Sequence, residues 1–316
     1  MIELLLIAEA RGDGLIFTRD LRELGATSEQ IDRAIRLQQL VRLRRGVYVR
    51  LSVDGDRRRD ETHRLLVRGT SALSHGIVVS HLSAAAMHRL PLIGGWPGRV
   101  HISTPARTGG GSSAGTIAHR SGPPPETIEI DGVIVTSLAR TLVDVAATCS
   151  FLVGVTMIDH ALRTTPVRRG ELFEELDFVA PTRGSTRARS SVEFGDGRSG
   201  SAGESLCRVR AFELGFHRPE LQTRVATRHG NHDIDFEWPE VNLFGEFDGL
   251  VKYSRAEYMG GRSAQDVLLN EKNREDAIRE ATGRRFTRWL WNEALDPVLF
   301  NRRLLDAGVP RSHGRR

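Results

Sequence analysis

A chain of 316 residues is too long for one ordinary hydrophobic core and comfortable for two or three, and its 39% hydrophobic and 27% charged residues exclude a disordered polypeptide. No stretch approaches the roughly 20 apolar residues that a membrane-crossing helix needs, and two cysteines, Cys149 and Cys207, far apart and without metal-ligand spacing, exclude a disulfide scaffold and fit a reducing cytoplasm. The formal net charge of +5 is mild, but arginines gather at Arg42, Arg44 and Arg45, at Arg57 to Arg59, and at Arg183, Arg187 and Arg189, clusters that attract phosphates or serve as solvated faces.

The opening MIELLLIAEA has no basic start, long apolar centre or small-residue cleavage site, so it reads as a short helix over Ile2 to Glu9 rather than a signal peptide. Gly12-Asp13-Gly14 stops it. Thr18 is placed to cap a second helix, Arg19 to Leu24, which Gly25 ends. Thr27 with Gln30 three residues on has the spacing of a capping box for a third helix. On that helix Ile31, Ala34 and Ile35 lie at core spacing and leave Arg33 and Arg36 on other faces. Val41-Arg42-Leu43-Arg44, a turn at Arg45-Gly46 and Val47-Tyr48-Val49 predict a hairpin with its arginines on one side.

Three short helices and a basic hairpin describe a winged helix-turn-helix, in which a helix meets the major groove and the hairpin grips the flanking backbone. A three-helix protein-interaction domain would share that outline. The run LIFTRDLRELGATSEQIDRAIRLQQLVRLRRGVYV resembles the N-terminal domain of AbiEi-family antitoxins, regulators of type IV toxin–antitoxin pairs. The resemblance implies binding to promoter DNA, with Arg33, Arg36, Arg42, Arg44 and Arg45 as the contacting residues of a domain over residues 1–50.

From about Leu51 to residue 195 the pattern predicts an α/β middle domain. HRLLVRGTSAL is helical, GIVVSHLSAAAMHRL passes from a strand into a helix that Ser80 is placed to cap, VHIST and GVIVTS are strands, and SLARTLVDVAATC is a helix. GGWPG, RTGGGSSAG and SGPPPE are loops by composition. VSHLSAAAMHRLPL and VTSLARTLVDVA also resemble the AbiEi-like segment that follows the winged helix. His75, His81, His88 and His101 lack cysteines and an HExxH pattern, so they read as buried or capping side chains. RGSTRARSSVEF predicts a basic helix and GDGRSGSAG a hinge before a third domain, residues 196–316.

In that third domain GESLCRVRAFELGF is a helix and RPELQTRVATR a strand. In NHDIDFEWPE the acids Asp233, Asp235 and Glu237 alternate with Ile234, Phe236 and Trp238, and so are expected on one face of a strand. Leu243 to Asp248 returns as its partner, with Glu246 and Asp248 again on one face. Converging carboxylates need a counter-charge, and a hard divalent cation, Mg²⁺ or Mn²⁺ in its place, meets that need as a hydrated acidic face also would. An acid on a helix, an Asp on one strand and a Glu on the next resemble the PD-(D/E)XK nucleases, and among them domains related to very-short-patch repair endonucleases. The matching positions are Glu204, Asp235 and Glu246 with Asp248, and NEKNREDAIREATGRRFTRWLWNE resembles the closing part of such a domain.

The resemblance implies a restriction-endonuclease-like α/β sheet with catalytic Glu204, Asp235, Glu246 and Asp248, of which Asp235, Glu246 and Asp248 hold the metal. It departs from pattern at Asp248, where many such enzymes carry lysine, and Lys252 or Lys272 would supply that charge. Glu204 has a second reading as the partner of Ser201 in a capping box, with Arg208 pairing to it. The sequence thus describes a multidomain, mixed α/β, cytoplasmic protein whose expected partner is double-stranded DNA, with a cognate toxin and a second copy of the chain as further partners. It acts either as a Mg²⁺-dependent DNA endonuclease or as a non-catalytic antitoxin and transcriptional repressor that uses a degenerate nuclease fold for DNA contact or dimerisation. Paired surface aromatics of an RNA-recognition sheet are not visible.

Overall fold

The computed structural model describes residues 1–50, 59–74, 76–105, 111–180, 183–249 and 264–312. They form a mixed α/β chain with two compact units, residues 1–148 with 170–188, and residues 149–169 with 189–316. Residues 1–50 and most of the expected middle segment therefore belong to one unit.

The first unit opens with α1 (Ile2–Arg11), β1 (Ile16–Phe17), α2 (Thr18–Glu23), α3 (Ser28–Arg36), β2 (Leu40–Arg44) and β3 (Val47–Arg50). The strands form an antiparallel sheet in the order β1-β3-β2. Leu5, Ala8, Ile16, Leu21, Ile31, Ala34, Leu40 and Tyr48 fill the space between helices and sheet. The cap of α3 is as the spacing predicts: Gln30 N donates to Thr27 Oγ1 at 3.2 Å and Thr27 N to Gln30 Oε1 at 2.8 Å. The expected cap of α2 is not formed, because Thr18 is itself the first helical residue and extended Phe17 occupies the cap position. Gly25, at φ +87°, makes the turn between α2 and α3.

The hairpin corrects a second expectation. Its register shifts between Arg42, opposite Tyr48, and Arg44, opposite Val47. That bulge breaks the alternation, so the arginines do not share one side. Arg42 is exposed, whereas the half-buried Arg44 lies against Gly115, where an added Cβ would stand 3.6 Å from its guanidinium carbon.

The unit continues with α4 (Arg59–Leu73), β4 (Val78–Val79), α5 (His81–Met87), β5 (Val100–Pro105), β6 (Thr116–Ser121), β7 (Thr127–Ile130), β8 (Val133–Thr136) and α6 (Leu138–Thr148). The five strands run in the order β6-β5-β4-β8-β7, parallel for β5/β6 and β4/β8 and antiparallel elsewhere. Leu66, Val67, Val79, Ala84, Met87, Val100, Val133 and Val135 make its core. Strand β6 follows the glycine-rich loop and was not foreseen, since TIAHRS lacks a run of branched residues. Ser80 does not cap α5; its hydroxyl lies 3.0 Å from His81 Nδ1 instead.

In the second unit α7 (Phe151–Thr164) packs with α10 (Ala202–Glu213) and the last turns of α9 (Ser185–Phe194) through Val155, Phe194 and Val209, while α8 (Arg169–Val179) belongs almost wholly to the first. The loop Gly195–Gly200 is anchored rather than loose. Asp196 N donates to Asp159 Oδ1 at 2.7 Å, and Arg169 and Arg163 reach the carbonyls of Gly195 and Ser199. Next come β9 (Glu220–Thr227), β10 (Gly230–Trp238), a 3₁₀ turn (Pro239–Val241), β11 (Leu243–Asp248), α11 (Ala264–Thr282), β12 (Arg285–Leu290), α12 (Trp291–Leu295) and α13 (Pro297–Ala307). The sheet order is β12-β11-β10-β9, with β11 and β12 parallel. One face carries Ile234, Phe244 and Ile278 of α11; the other carries Phe236, Trp238 and Trp289, whose Nε1 donates to Cys207 of α10.

Candidate functional site

Helix α10 packs its first turn very closely against the sheet. A Cβ on Gly203 would stand 2.0 Å from the ring of Phe247, so glycine is needed there. This contact brings Glu204 to the sheet. Ser201 caps the helix by accepting from Glu204 N at 3.2 Å. The Glu204 carboxylate does not complete a reciprocal box or meet Arg208; its Oε2 accepts from Gly200 N at 2.7 Å and from Gln222 Nε2 at 2.9 Å. The same Gln222 nitrogen lies 3.3 Å from Asp235 Oδ1, and Asp235 Oδ2 accepts from Phe247 N at 2.9 Å. One side-chain amide of β9 thus joins the acids of α10 and β10. Gln222 sits at φ +52° in mid-strand, and the pairing of β9 with β10 skips the Gln222–Asp235 position. Such a backbone costs on the order of 1–3 kcal/mol and is held by its surroundings.

The irregularity at Asp235 overturns the expectation that Asp233, Asp235 and Glu237 share a face. Ile234 faces α11, Asp235 and Phe236 both lie on the α10 side, and Glu237 returns to the α11 side. There Glu237, 5% exposed, pairs with Arg284, which lies over Phe244. Asp233 is exposed.

Glu246, also on the α11 side and 8% exposed, is gripped by Arg274 of α11 at 2.8 Å and Arg288 of β12 at 2.9 Å. Arg288 in turn lies 3.3 Å from Glu275. The counter-charges expected as a metal ion are supplied here by arginines. Among the described residues no three His, Cys, Asp or Glu side chains are grouped to hold a metal ion. The set Asp235, Glu246 and Asp248 therefore does not fit the expected cation: Asp235 joins Glu204 through Gln222, while Glu246 is turned to the arginines. Asp248 is half-buried at the end of β11, Lys272 is exposed on α11, and Lys252 lies outside the described residues. Gln222, Arg274 and Arg288 were missed from the sequence.

The helix α10 also carries a buried ion pair. Arg208 does not meet Glu204 but donates to both oxygens of Asp159 on α7 at 2.7 Å each, and to Phe194 O at 2.8 Å. Burial raises the Asp159 pKa against the lowering effect of Arg208, and burial also raises the Cys207 thiol, which favours its protonated form.

In the first unit Arg33 and Arg36 are exposed on α3 beside Glu29 and Asp32, while Ile31 and Ala34 are buried. Arg45 is exposed at the hairpin turn and Arg42 lies over the Tyr48 ring at 5.7 Å. Four of the five predicted contact residues are therefore solvent-facing, and Arg44 is not.

No protein-family model matches the chain. It is similar to two uncharacterised proteins of Mycobacterium tuberculosis, from strains CDC 1551 and H37Rv, each 31% identical over 122 residues. The match covers 38% of this chain and 45% of each relative, so less than half the length of the relatives is spanned.

Proposed function

We propose that this chain binds duplex DNA through its first fifty residues and acts as a non-catalytic regulator of the AbiEi antitoxin-like type. The observation that carries the reading is the placement of exposed Arg33 and Arg36 on α3, the second helix of a helix-turn-helix packed on a β1-β3-β2 sheet. That order of elements supports a winged helix-turn-helix reading, with the Arg42–Arg45 hairpin as wing. A helix of that kind enters the major groove, and guanidiniums on its outer face and on the hairpin meet phosphates and base edges.

The C-terminal sheet resembles a nuclease domain in its acids but uses Glu246 and Glu237 as partners of Arg274, Arg288 and Arg284, which supports a retired catalytic site that contributes DNA contact or dimerisation. A cognate toxin and a second copy of the chain are further partners consistent with this reading.

Fluorescence anisotropy with random duplex at low salt is the test. Binding should weaken as salt rises, and Arg33→Ala/Arg36→Ala should lower the slope of log K against log salt by roughly 1–2. No binding at low salt sinks the proposal. Nicking of supercoiled plasmid in Mg²⁺ or Mn²⁺ that disappears in Asp235→Ala would replace the non-catalytic reading with a nuclease.

A further inference from the structure

A cavity of about 290 Å³ in the first unit is lined by His81, His119, Arg120, Arg140, Asp144 and Arg183. His81, the first residue of α5, has φ +51° and is 7% exposed. A left-handed, buried histidine at a helix start is a strained arrangement that packing must hold in place. Its ring stacks on His119 of β6 with centroids 3.5 Å apart and planes within 15°, and His119 Nε2 lies 3.0 Å from His101 Nδ1 of β5. Behind them Arg140 of α6 is 2% exposed and matched by two carboxylates, Asp144 at 3.1 Å and Glu175 of α8 at 3.6 Å; Asp144 also stands 3.7 Å from His81.

The rim differs from this floor. Arg120 and Arg183 are exposed, and among the described residues neither side chain has an ion-pair or hydrogen-bond partner. The floor thus sets one guanidinium against two carboxylates, while the mouth presents two exposed guanidiniums beside an imidazole wall. Guanidiniums bind phosphate oxygens in forked pairs, and a neutral imidazole offers one N–H more. Among the described residues no three His, Cys, Asp or Glu side chains are grouped there to hold a metal ion, and the exposed guanidiniums favour an anion.

We propose that this cavity is a binding site for a phosphate group, taken either from a small free phosphate compound or from the end of a nucleic acid, with Arg120 and Arg183 as its charged contacts and His119 as a neutral donor. It is separate from the α3 surface and does not depend on the DNA-binding reading.

Titration calorimetry of the full chain with inorganic phosphate, with chloride at equal ionic strength as control, tests it. The wild type should bind, and Arg120→Ala/Arg183→Ala, which alters only exposed side chains, should bind at least tenfold more weakly. Arg33→Ala/Arg36→Ala should leave phosphate binding unchanged. Short oligonucleotides with a 5′-phosphate or a 5′-hydroxyl identify the source. Competition by the phosphorylated form alone assigns the site to nucleic-acid ends, and no competition by either assigns it to a free compound. Absence of phosphate binding, equal binding by the Arg120/Arg183 variant, or loss of binding in the Arg33/Arg36 variant overturns the proposal.

Discussion

Replacing Glu246 by glutamine separates the two roles that a buried acid on β11 can have. The carboxylate is held by Arg274 at 2.8 Å and Arg288 at 2.9 Å, and the two arginine side chains are only 23% and 28% exposed. A hydrogen bond to a charged group contributes about 1.5–3 kcal/mol, and breaking a buried ion pair by removing one partner costs about 3–5 kcal/mol. Part of the arginine charge is reached by water, and the amide of Gln keeps one acceptor, so Glu246→Gln should cost about 2–4 kcal/mol. The assay is urea unfolding followed by tryptophan emission, which reports on the second unit because Trp238, Trp289 and Trp291 lie there and only Trp96 lies elsewhere. The stability of the wild type should not depend on Mg²⁺. If Glu246 were a metal ligand among crowded acids, Glu246→Gln would relieve repulsion, and it would equal or exceed the wild type without Mg²⁺ and lose a Mg²⁺-dependent gain that the wild type shows. Either result would refute the arginine-clamp reasoning.

Arg208→Met should destabilise the second unit by about 3–5 kcal/mol, because Asp159 is fully buried and would lose both of its 2.7 Å bonds to the guanidinium; urea unfolding measures it, and a cost below about 1 kcal/mol contradicts the geometry. Gly203→Ala should cost about 1–3 kcal/mol or more, since the new methyl would stand 2.0 Å from the Phe247 ring, and circular-dichroism melting reads the loss. The first unit should lose stability in acid. Burial lowers His63 and His101 to about 4 and lowers His81 and His119 as well, with His119, His101 and Arg140 adding to the shift at His81. The unfolded chain then binds more protons than the folded one between about pH 6.5 and 4, so stability falls as pH drops through that window. Asp144, raised by burial to about 6, acts in the opposite direction over part of the same range, and Asp144→Asn should therefore steepen the acid loss measured by pH-dependent melting.

Residues 1–50 were legible because their signals are local. Thr27 and Gln30 cap a helix within three residues of each other, Ile31 and Ala34 repeat at helical spacing, and Gly46 at φ +84° makes a hairpin turn between two runs of branched residues. The acids at 204, 235 and 246 were visible by type and spacing, and α10, β10 and β11 are where the pattern placed them. Which way each acid points was not legible. One skipped pairing at Gln222 and Asp235 turns Asp235 toward Glu204, and a bulge in the hairpin turns Arg44 toward Gly115. A single-residue irregularity reverses a side chain's face and leaves no mark in the spacing of residue types. The partners that decide the charge balance are farther still: Arg274 and Arg288 reach Glu246 from 28 and 42 positions along the chain, and His81 meets His119 across 38, by the difference of their numbers. The sequence by itself determined the elements and the inventory of charged groups, because propensity, caps and periodicity act over a few residues. Tertiary structure alone decided that arginines neutralise Glu246 and that three distant histidines cluster, because electrostatic matching depends on distance in space rather than along the chain.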